Sequence, residues 1–189
     1  MGGVAKSNLL VGGQTILART LEVCRNATLT SRPAGPPRIW LVGESSAYVA
    51  PGVSRLADDP SGIGPLGGLR ALLRELAPRG AAALVLAGDL PFVTAELLER
   101  LCHGAPQAAA LAPRDAAGRW QPLFARYVPE VLLPEIERAL LRGRTSLQYL
   151  FEQLGEQASV LALSATEERA LRDWDRPSDM IAECPEGPA

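Results

Sequence analysis

The sequence predicts an α/β protein with a mostly parallel sheet and helices on both faces. Two short apolar runs, 38–42 and 81–87, each end at a glycine, as buried strands commonly do. Segments with apolar residues at helical spacing come before, between and after these runs. Strands that alternate with helices in this way are typical of a parallel sheet built from crossover connections.

The first half of the chain predicts three helices. Residues 14–26 carry apolar side chains at helical spacing, and 66–76 do so again with Pro65 at the start, where proline is favoured. Thr94 is suited to cap a third helix over 95–101. Each helix is adjacent in sequence to a predicted strand, as in a crossover connection.

The second half is less regular. Two strands, 107–112 and 123–127, flank a polar turn at 114–119. The remaining elements are predicted as helices 129–141 and 146–154, a strand at 159–163, and a short helix at 166–171. We find no repeat or linker, so residues 1–189 are expected to form one domain with a frayed tail at 185–189.

Composition narrows the classes of function. Nineteen basic and 21 acidic residues give a net charge of −2 without a basic run, which argues against nucleic acid or an anionic membrane as partner. No apolar run approaches the ~20 residues of a membrane helix. Cys24, Cys102 and Cys184 have neither disulfide nor zinc spacing, so we expect reduced thiols and a cytoplasmic location.

Asp89 is the first candidate for chemistry. It directly follows the apolar run 81–87 and Gly88, at the edge where open α/β sheets bind ligands. A single carboxylate there suits Mg²⁺, which takes one or two protein carboxylates and completes its shell with phosphate and water. The alternative is a turn aspartate that caps the next helix, although Thr94 is better placed for that cap.

The glycines at 62, 64 and 67 match the G-x-G-x-x-G dinucleotide fingerprint, and Asp89 lies near the distance expected of a ribose-binding acid. Against a dehydrogenase, 53–57 is a poor strand, and two acidic residues, Asp58 and Asp59, would repel a pyrophosphate. We expect these glycines to allow close packing at a helix start instead.

Other catalytic patterns are absent from the sequence. There is no G-x-S-x-G elbow and no complete G-x-x-x-x-G-K-[ST] loop, which argues against serine hydrolases and P-loop kinases. The single histidine, His103, falls at a predicted helix C-terminus, where the helix dipole explains it without a catalytic role.

The chain opens with Met1-Gly2-Gly3 and Lys6, which look like the second half of a loop that grips a polyphosphate. Together with four later segments, this fragment resembles the molybdenum cofactor guanylyltransferases, within the wider nucleotidyltransferase family that has a Rossmann-like sheet. The later segments are Gly64-Pro65-Leu66-Gly67-Gly68-Leu69, Ala87-Gly88-Asp89-Leu90-Pro91-Phe92, Gln121-Pro122-Leu123-Phe124-Ala125 and Gly143-Arg144-Thr145-Ser146. A looser match closes the chain at 173–179.

The resemblance implies transfer of GMP from GTP to the terminal phosphate of molybdopterin, with release of pyrophosphate. Lys6 would contact the nucleotide phosphates, and Asp89 would hold Mg²⁺; these two residues form the implied catalytic set. Asp58 would lie beside the guanosine, and Gly43 also belongs to the nucleotide side, where the family usually has asparagine. The partners implied are GTP, the molybdenum cofactor, and molybdoenzymes or their chaperones.

The acceptor side implied by the resemblance contains Gly64, Pro65, Asp173 and Asp175. Three other functions stay open: a cytidylyltransferase, a sugar-phosphate nucleotidyltransferase, and a non-catalytic relative that binds pterin or a partner enzyme. Family members carry a strand and a Leu-Ala-Gly-Gly loop ahead of the segment matched by Met1. We therefore expect the true start to lie upstream, and the chain as written to be poorly stable and inactive.

Overall fold

The computed structural model describes residues 9–30, 38–43 and 52–171 of the chain. Within these ranges, strands β1 to β8 are Leu10–Val11, Gln14–Thr15, Trp40–Val42, Ser54–Leu56, Ala83–Leu86, Ala110–Ala112, Phe124–Tyr127 and Ala158–Val160. Helices α1 to α6 are Ile16–Thr30, Pro65–Leu76, Ala95–His103, Pro129–Leu141, Leu147–Leu154 and Ala165–Ala170. The predicted α/β class is confirmed.

The largest sheet has four strands in the order β5-β7-β6-β8. Strand β7 is antiparallel to both of its neighbours and β6 is parallel to β8, so β5, β6 and β8 point the same way. The prediction of a mostly parallel sheet is confirmed, with β7 as the reversed strand. This reversal follows from the short connection between β6 and β7, which contains no helix and therefore joins antiparallel neighbours.

Alternation along the strands divides the core between the two faces of this sheet. On one face, the alanines of β6 and Tyr127 of β7 pack with α2, α4 and α5. On the other, Leu111 and Phe124 pack with α3 and the end of α1. Successive strand residues point to opposite faces, so a single strand supplies both cores. Helices cover both faces, as predicted.

Helix boundaries follow local signals in the sequence. The hydroxyl of Thr94 accepts a hydrogen bond from the backbone NH of Leu97 at 3.3 Å, so the predicted cap of α3 is confirmed. Helix α4 has the predicted bounds. Helix α1 starts two residues later than predicted, at Ile16, because residues 14–15 pair with β1 in a hairpin.

A parallel pair, β3 and β4, lies beside α2. The interpretation of residues 53–57 as a poor strand is wrong, because Ser54–Leu56 forms β4. Its Ser54 and Arg55 side chains are exposed, so the segment lacks the apolar pattern that would have predicted a strand. Hydrogen bonds with β3 supply the stabilisation that the sequence did not reveal.

An apolar cavity of about 550 Å³ lies between β3 and β5. Leu41 of β3, Leu84 of β5, Leu21 of α1 and Leu98 of α3 contribute to its walls. Among the described residues, β3 pairs only with β4, and β5 pairs only with β7. The cavity therefore separates β3 from β5, two strands that do not pair with each other in the described part of the chain.

Candidate active site

A cleft of about 700 Å³ opens at the carboxyl end of β5. Residues of four separate sequence segments line it: Pro65, Ala87 with Asp89 and Leu90, the run 121–124, and Thr145 with Ser146. These are the four segments, after the N-terminal one, that carry the family resemblance. The fold thus gathers residues more than 50 positions apart around one cavity, as expected of a ligand site.

Asp89 lies in the wall of this cleft and is half-buried. In the described part of the chain, its carboxylate has no hydrogen bond or ion pair, and the cap of α3 is supplied by Thr94. The capping interpretation of Asp89 therefore fails. A carboxylate that faces a cleft without a protein partner fits one ligand position of Mg²⁺, whose remaining positions are commonly filled by phosphate and water.

Gly43 and Asp58 lie together at the carboxyl ends of the parallel strands β3 and β4. The amide of Gly43 donates to the carbonyl of Leu56 at 2.9 Å, which extends the β3–β4 ladder. A Cβ added at Gly68 would lie 3.0 Å from Oδ1 of Asp58 and 2.8 Å from Val42 Cγ1. Carboxyl ends of neighbouring parallel strands are the usual ligand edge of such sheets.

The glycines near the start of α2 serve packing, which disfavours the dinucleotide interpretation. A Cβ added at Gly67 would approach the carbonyl oxygen of Pro60 to 2.4 Å, so the helix is pressed against segment 58–60. A pyrophosphate has no space at that surface. Gly64 caps α2 with φ of 77°, a conformation that favours glycine, and Pro65 occupies the first turn.

A hairpin over residues 113–121 forms another wall of the cleft. Arg114 and Trp120 pair across it as an antiparallel bridge, and the guanidinium carbon of Arg114 lies 4.1 Å from the centre of the Trp120 ring. Asp115 accepts hydrogen bonds from the backbone NH groups of Ala117 and Arg119, each at 2.9 Å. The bond from Arg119 NH is the main cause that holds the pKa of Asp115 below its ordinary value.

Sequence reasoning identified Asp89 and Pro65 but missed Arg114 as a cleft residue. The signal available was weak: the sequence predicted a polar turn at 114–119, and only the cross-strand pairing with Trp120 directs Arg114 to the cleft. Thr145 and Ser146 belong to a segment that carries the family resemblance, which implies no role for either residue. Ser146 caps α5 by accepting from the backbone NH of Tyr149 at 3.5 Å, and both residues line the cleft.

Three predicted site residues, Lys6, Asp173 and Asp175, lie outside the described residues, and their roles stay predictions. Within residues 9–30, 38–43 and 52–171, no group of three or more His, Cys, Asp or Glu side chains is arranged to hold a metal ion. A metal here would therefore rely on few carboxylates. His103 ends α3, as predicted, and does not line the cleft.

Two further predictions concern cysteines and membranes. Cys24 and Cys102 are half-buried reduced thiols, and burial raises the pKa of Cys24 to about 11, while Cys184 lies outside the described residues. Among the helices that the structure describes, none has the length and apolar character needed to cross a membrane.

The same chain matches the family model of the MobA-like NTP transferase domain over residues 1–158. It belongs to the MobA-like NTP transferase family. The four cleft segments named above all lie inside the matched range. The cleft segments therefore belong to the nucleotidyltransferase domain that the family model defines.

Individual relatives agree with this family. The chain is 32% identical over 180 residues to a protein of Opitutus terrae named "Probable molybdenum cofactor guanylyltransferase", covering 94% of the chain and 85% of that relative. Molybdopterin-guanine dinucleotide biosynthesis protein A from Archaeoglobus fulgidus superposes with a TM-score of 0.69 at 22% identity, over 95% of the chain and 88% of its own.

A third protein shares the fold but has a name that specifies a different nucleotide. The 2-C-methyl-D-erythritol 4-phosphate cytidylyltransferase from Thermus thermophilus superposes with a TM-score of 0.65 at 20% identity, over 93% of the chain and 90% of its own. Its similarity is close to that of the Archaeoglobus protein, although the two names specify different bases. The fold is therefore shared, and the choice of nucleotide depends on individual site residues.

Proposed function

We propose that this nucleotidyltransferase transfers GMP from GTP to the terminal phosphate of molybdopterin, which forms the guanine dinucleotide and pyrophosphate. The observation that carries the proposal is the convergence of four family segments on one cleft that includes Asp89. The name of the Opitutus terrae relative supports the choice of substrates. Cytidyl transfer is the second candidate, supported by the fold shared with the Thermus cytidylyltransferase.

The reaction is a substitution at phosphorus that needs no nucleophile from the protein. An oxygen of the molybdopterin phosphate bonds to the α-phosphorus of GTP, while the bond to the bridging oxygen of the β-phosphate breaks and pyrophosphate leaves. The protein contributes by aligning the two substrates and by stabilising charge on the phosphoryl oxygens. Asp89 and Lys6 are the residues proposed for that stabilisation.

Asp89 would hold Mg²⁺ at the edge of the cleft. Bound Mg²⁺ supplies positive charge that neutralises the phosphoryl oxygens during transfer. The fit rests on the half-buried carboxylate of Asp89, which has no protein partner in the described part of the chain. Lys6 would add a second cation against the same phosphates.

The nucleotide would lie against the carboxyl ends of β3 and β4, beside Gly43 and Asp58. The contact between Asp58 and the glycine face of α2 fixes this carboxylate next to the strand ends. The acceptor would occupy the 700 Å³ cleft on the other side of Asp89. Pro65 lines that cleft, and Gly64, Asp173 and Asp175 are proposed to lie on the same acceptor side.

The proposal extends to the surroundings of the enzyme. We expect it to act in the cytoplasm, as one domain, and to deliver its product to molybdoenzymes or their chaperones. No described surface identifies a particular recipient. These points follow from the resemblance and the composition.

The decisive experiment incubates the protein with Mg²⁺, molybdopterin and either GTP or CTP, and measures pyrophosphate and dinucleotide by chromatography. We expect the protein to form dinucleotide and pyrophosphate with GTP, and to form much less of both with CTP. The reverse preference would favour the cytidylyltransferase.

A binding experiment separates an enzyme from a non-catalytic relative and from a dehydrogenase. Thermal melts are recorded with GTP plus Mg²⁺, with molybdopterin and with NADH. Stabilisation by GTP plus Mg²⁺ is expected from mass action. Stabilisation by molybdopterin alone would indicate a pterin-binding protein, and stabilisation by NADH alone would overturn the family-based proposal.

A further inference from the structure

We propose that Arg114 binds the phosphate monoester of the acceptor in the cleft, which would make it a specificity residue for the second substrate. The inference rests on the proposed function and goes beyond the residues that the family resemblance identified. Arg114 lines the same cleft as Asp89. It comes from the hairpin 113–121, a part of the chain to which no role has been given.

The Arg114 side chain is held in place by its surroundings. Its guanidinium lies on the Trp120 ring, 4.1 Å from the ring centre, and Nη1 donates to the carbonyl of Gly118 at 3.2 Å. Phe151 of the buried core stacks on Trp120 with ring centres 4.6 Å apart. The Trp120 ring is thus in contact with both Arg114 and the buried Phe151.

The hairpin is also fixed to the start of α5. The amide of Gln148 accepts from the backbone NH of Trp120 at 3.2 Å and donates to its carbonyl at 2.6 Å. Gln148 follows Thr145 and Ser146, which line the cleft as well. The position of Arg114 relative to this wall is therefore set before a ligand arrives, and preorganisation of this kind lowers the entropic cost of binding.

The guanidinium of Arg114 has no ion-pair partner among the described residues, and most of its NH donors can bind a ligand. Within the described residues it has no carboxylate within ion-pairing distance, because neighbouring Asp115 pairs with Arg119 at 2.9 Å. Of the five NH donors of a guanidinium, the recorded bond to Gly118 uses one. A fixed, unpaired guanidinium that faces a cleft matches a phosphate, which it can bind through two parallel hydrogen bonds.

The location favours the phosphate of the acceptor over those of the nucleotide. Gly43 and Asp58, which form the proposed nucleotide side, do not line the 700 Å³ cleft, whereas Arg114 does. An anion that reaches Arg114 therefore belongs to the substrate lying in the cleft. Arg114 would hold that phosphate, while Asp89 lies at the boundary between the two substrates.

The test measures binding of molybdopterin and of dephosphorylated molybdopterin by equilibrium dialysis without GTP. For the unchanged protein, loss of the phosphate should weaken binding about 10- to 100-fold, the range expected of charge-assisted hydrogen bonds. For Arg114→Gln, the two compounds should bind equally. Arg114→Lys should restore part of the difference, since lysine keeps the charge but loses the paired donors.

Arg138→Gln is the matched control, because it removes the same charge from an exposed arginine of α4 that pairs with Glu135. It should leave the preference for the phosphorylated compound unchanged. A preference that survives in Arg114→Gln would overturn the assignment, as would a raised KM for GTP in this variant with the KM for molybdopterin unchanged. Since the dialysis needs no turnover, its result does not depend on whether the protein transfers GMP, and a protein that binds molybdopterin without transferring GMP would leave the assignment of Arg114 standing.

Discussion

Arg70 and Asp59 form an ion pair in which Nη1 lies 2.7 Å from Oδ2, and Arg70 is 15% exposed. Nε of Arg70 also bonds Glu137 of α4 at 2.8 Å, so one arginine connects α2, α4 and the segment after β4. The backbone NH of Asp59 donates to the carbonyl of Gly67 at 3.1 Å. These contacts hold the segment that carries Asp58 against the start of α2.

Replacing Arg70 by methionine should weaken both the fold and the nucleotide side of the site. We expect a loss of about 1–2 kcal/mol in the free energy of unfolding, because the mostly buried Arg70 loses its bonds to the half-exposed carboxylates of Glu137 and Asp59. Release of the Asp58 segment should raise the KM for GTP about tenfold with little change in kcat. Urea unfolding and steady-state kinetics measure the two effects.

Arg79→Gln provides the control for Arg70→Met. Its exposed pair with Glu75 lies within one helix turn and should contribute less than about 0.5 kcal/mol. An equal loss of stability in both variants, or an unchanged KM for GTP in Arg70→Met, would show that Arg70 does not position Asp58.

Gly67→Ala should destabilise the protein although alanine favours helices. The helix propensity gain is about 1 kcal/mol. The added Cβ would meet the Pro60 carbonyl at 2.4 Å, and a backbone shift is required, at a cost of about 1–3 kcal/mol or more. Gly68→Ala should cost less, because its nearest atom belongs to the Val42 side chain. A lower melting temperature for Gly68→Ala than for Gly67→Ala would contradict this explanation of the packing.

The sequence was sufficient for those elements whose signals are local. Thr94, Pro129 and Ser146 mark helix starts through caps and first-turn preferences, and the structure places α3, α4 and α5 accordingly. Strand β4 was missed because its stabilisation comes from pairing with β3, and pairing between distant segments leaves no local pattern.

The residues of the candidate site also fall into two groups, those that a local sequence signal identifies and those that depend on tertiary contacts. Asp89 could be found from its position after an apolar run, since the end of a strand is visible in the sequence. Arg114 could not, because its place in the cleft depends on a bridge to Trp120 and on the packing of Trp120 against Phe151. Residues that act through tertiary packing need the fold before they can be recognised.

Asp89→Asn should remove most turnover and leave the fold intact. The amide keeps the shape but loses the charge needed to hold a cation, and a loss of about 100-fold or more in kcat is expected. Glu168→Gln is the control, because this exposed carboxylate lines the same cleft and should be dispensable. Guanylation kinetics and thermal melts are compared for both. Activity within a few-fold of the unchanged protein would reject Asp89 as the metal ligand.

Glu167 should make stability depend on pH in the acid range. Its carboxylate bonds Arg100 of α3 and the backbone NH of Ser164, and these contacts lower its pKa from 4.5 to about 2. A depressed pKa in the folded state means that the stabilisation is present above pH 4.5 and is lost as the pH falls toward 2.

Glu167→Gln should therefore lower the free energy of unfolding by about 1 kcal/mol at pH 7, because it weakens a helix cap and an ion pair. At pH 2 it should change the free energy of unfolding by nearly nothing. Urea unfolding at both values measures the difference, with Glu152→Gln, an exposed glutamate of α5, as the variant expected to show none. A cost for Glu167→Gln that is equal at the two pH values would mean that the charge of Glu167 does not stabilise the junction of α3 and α6.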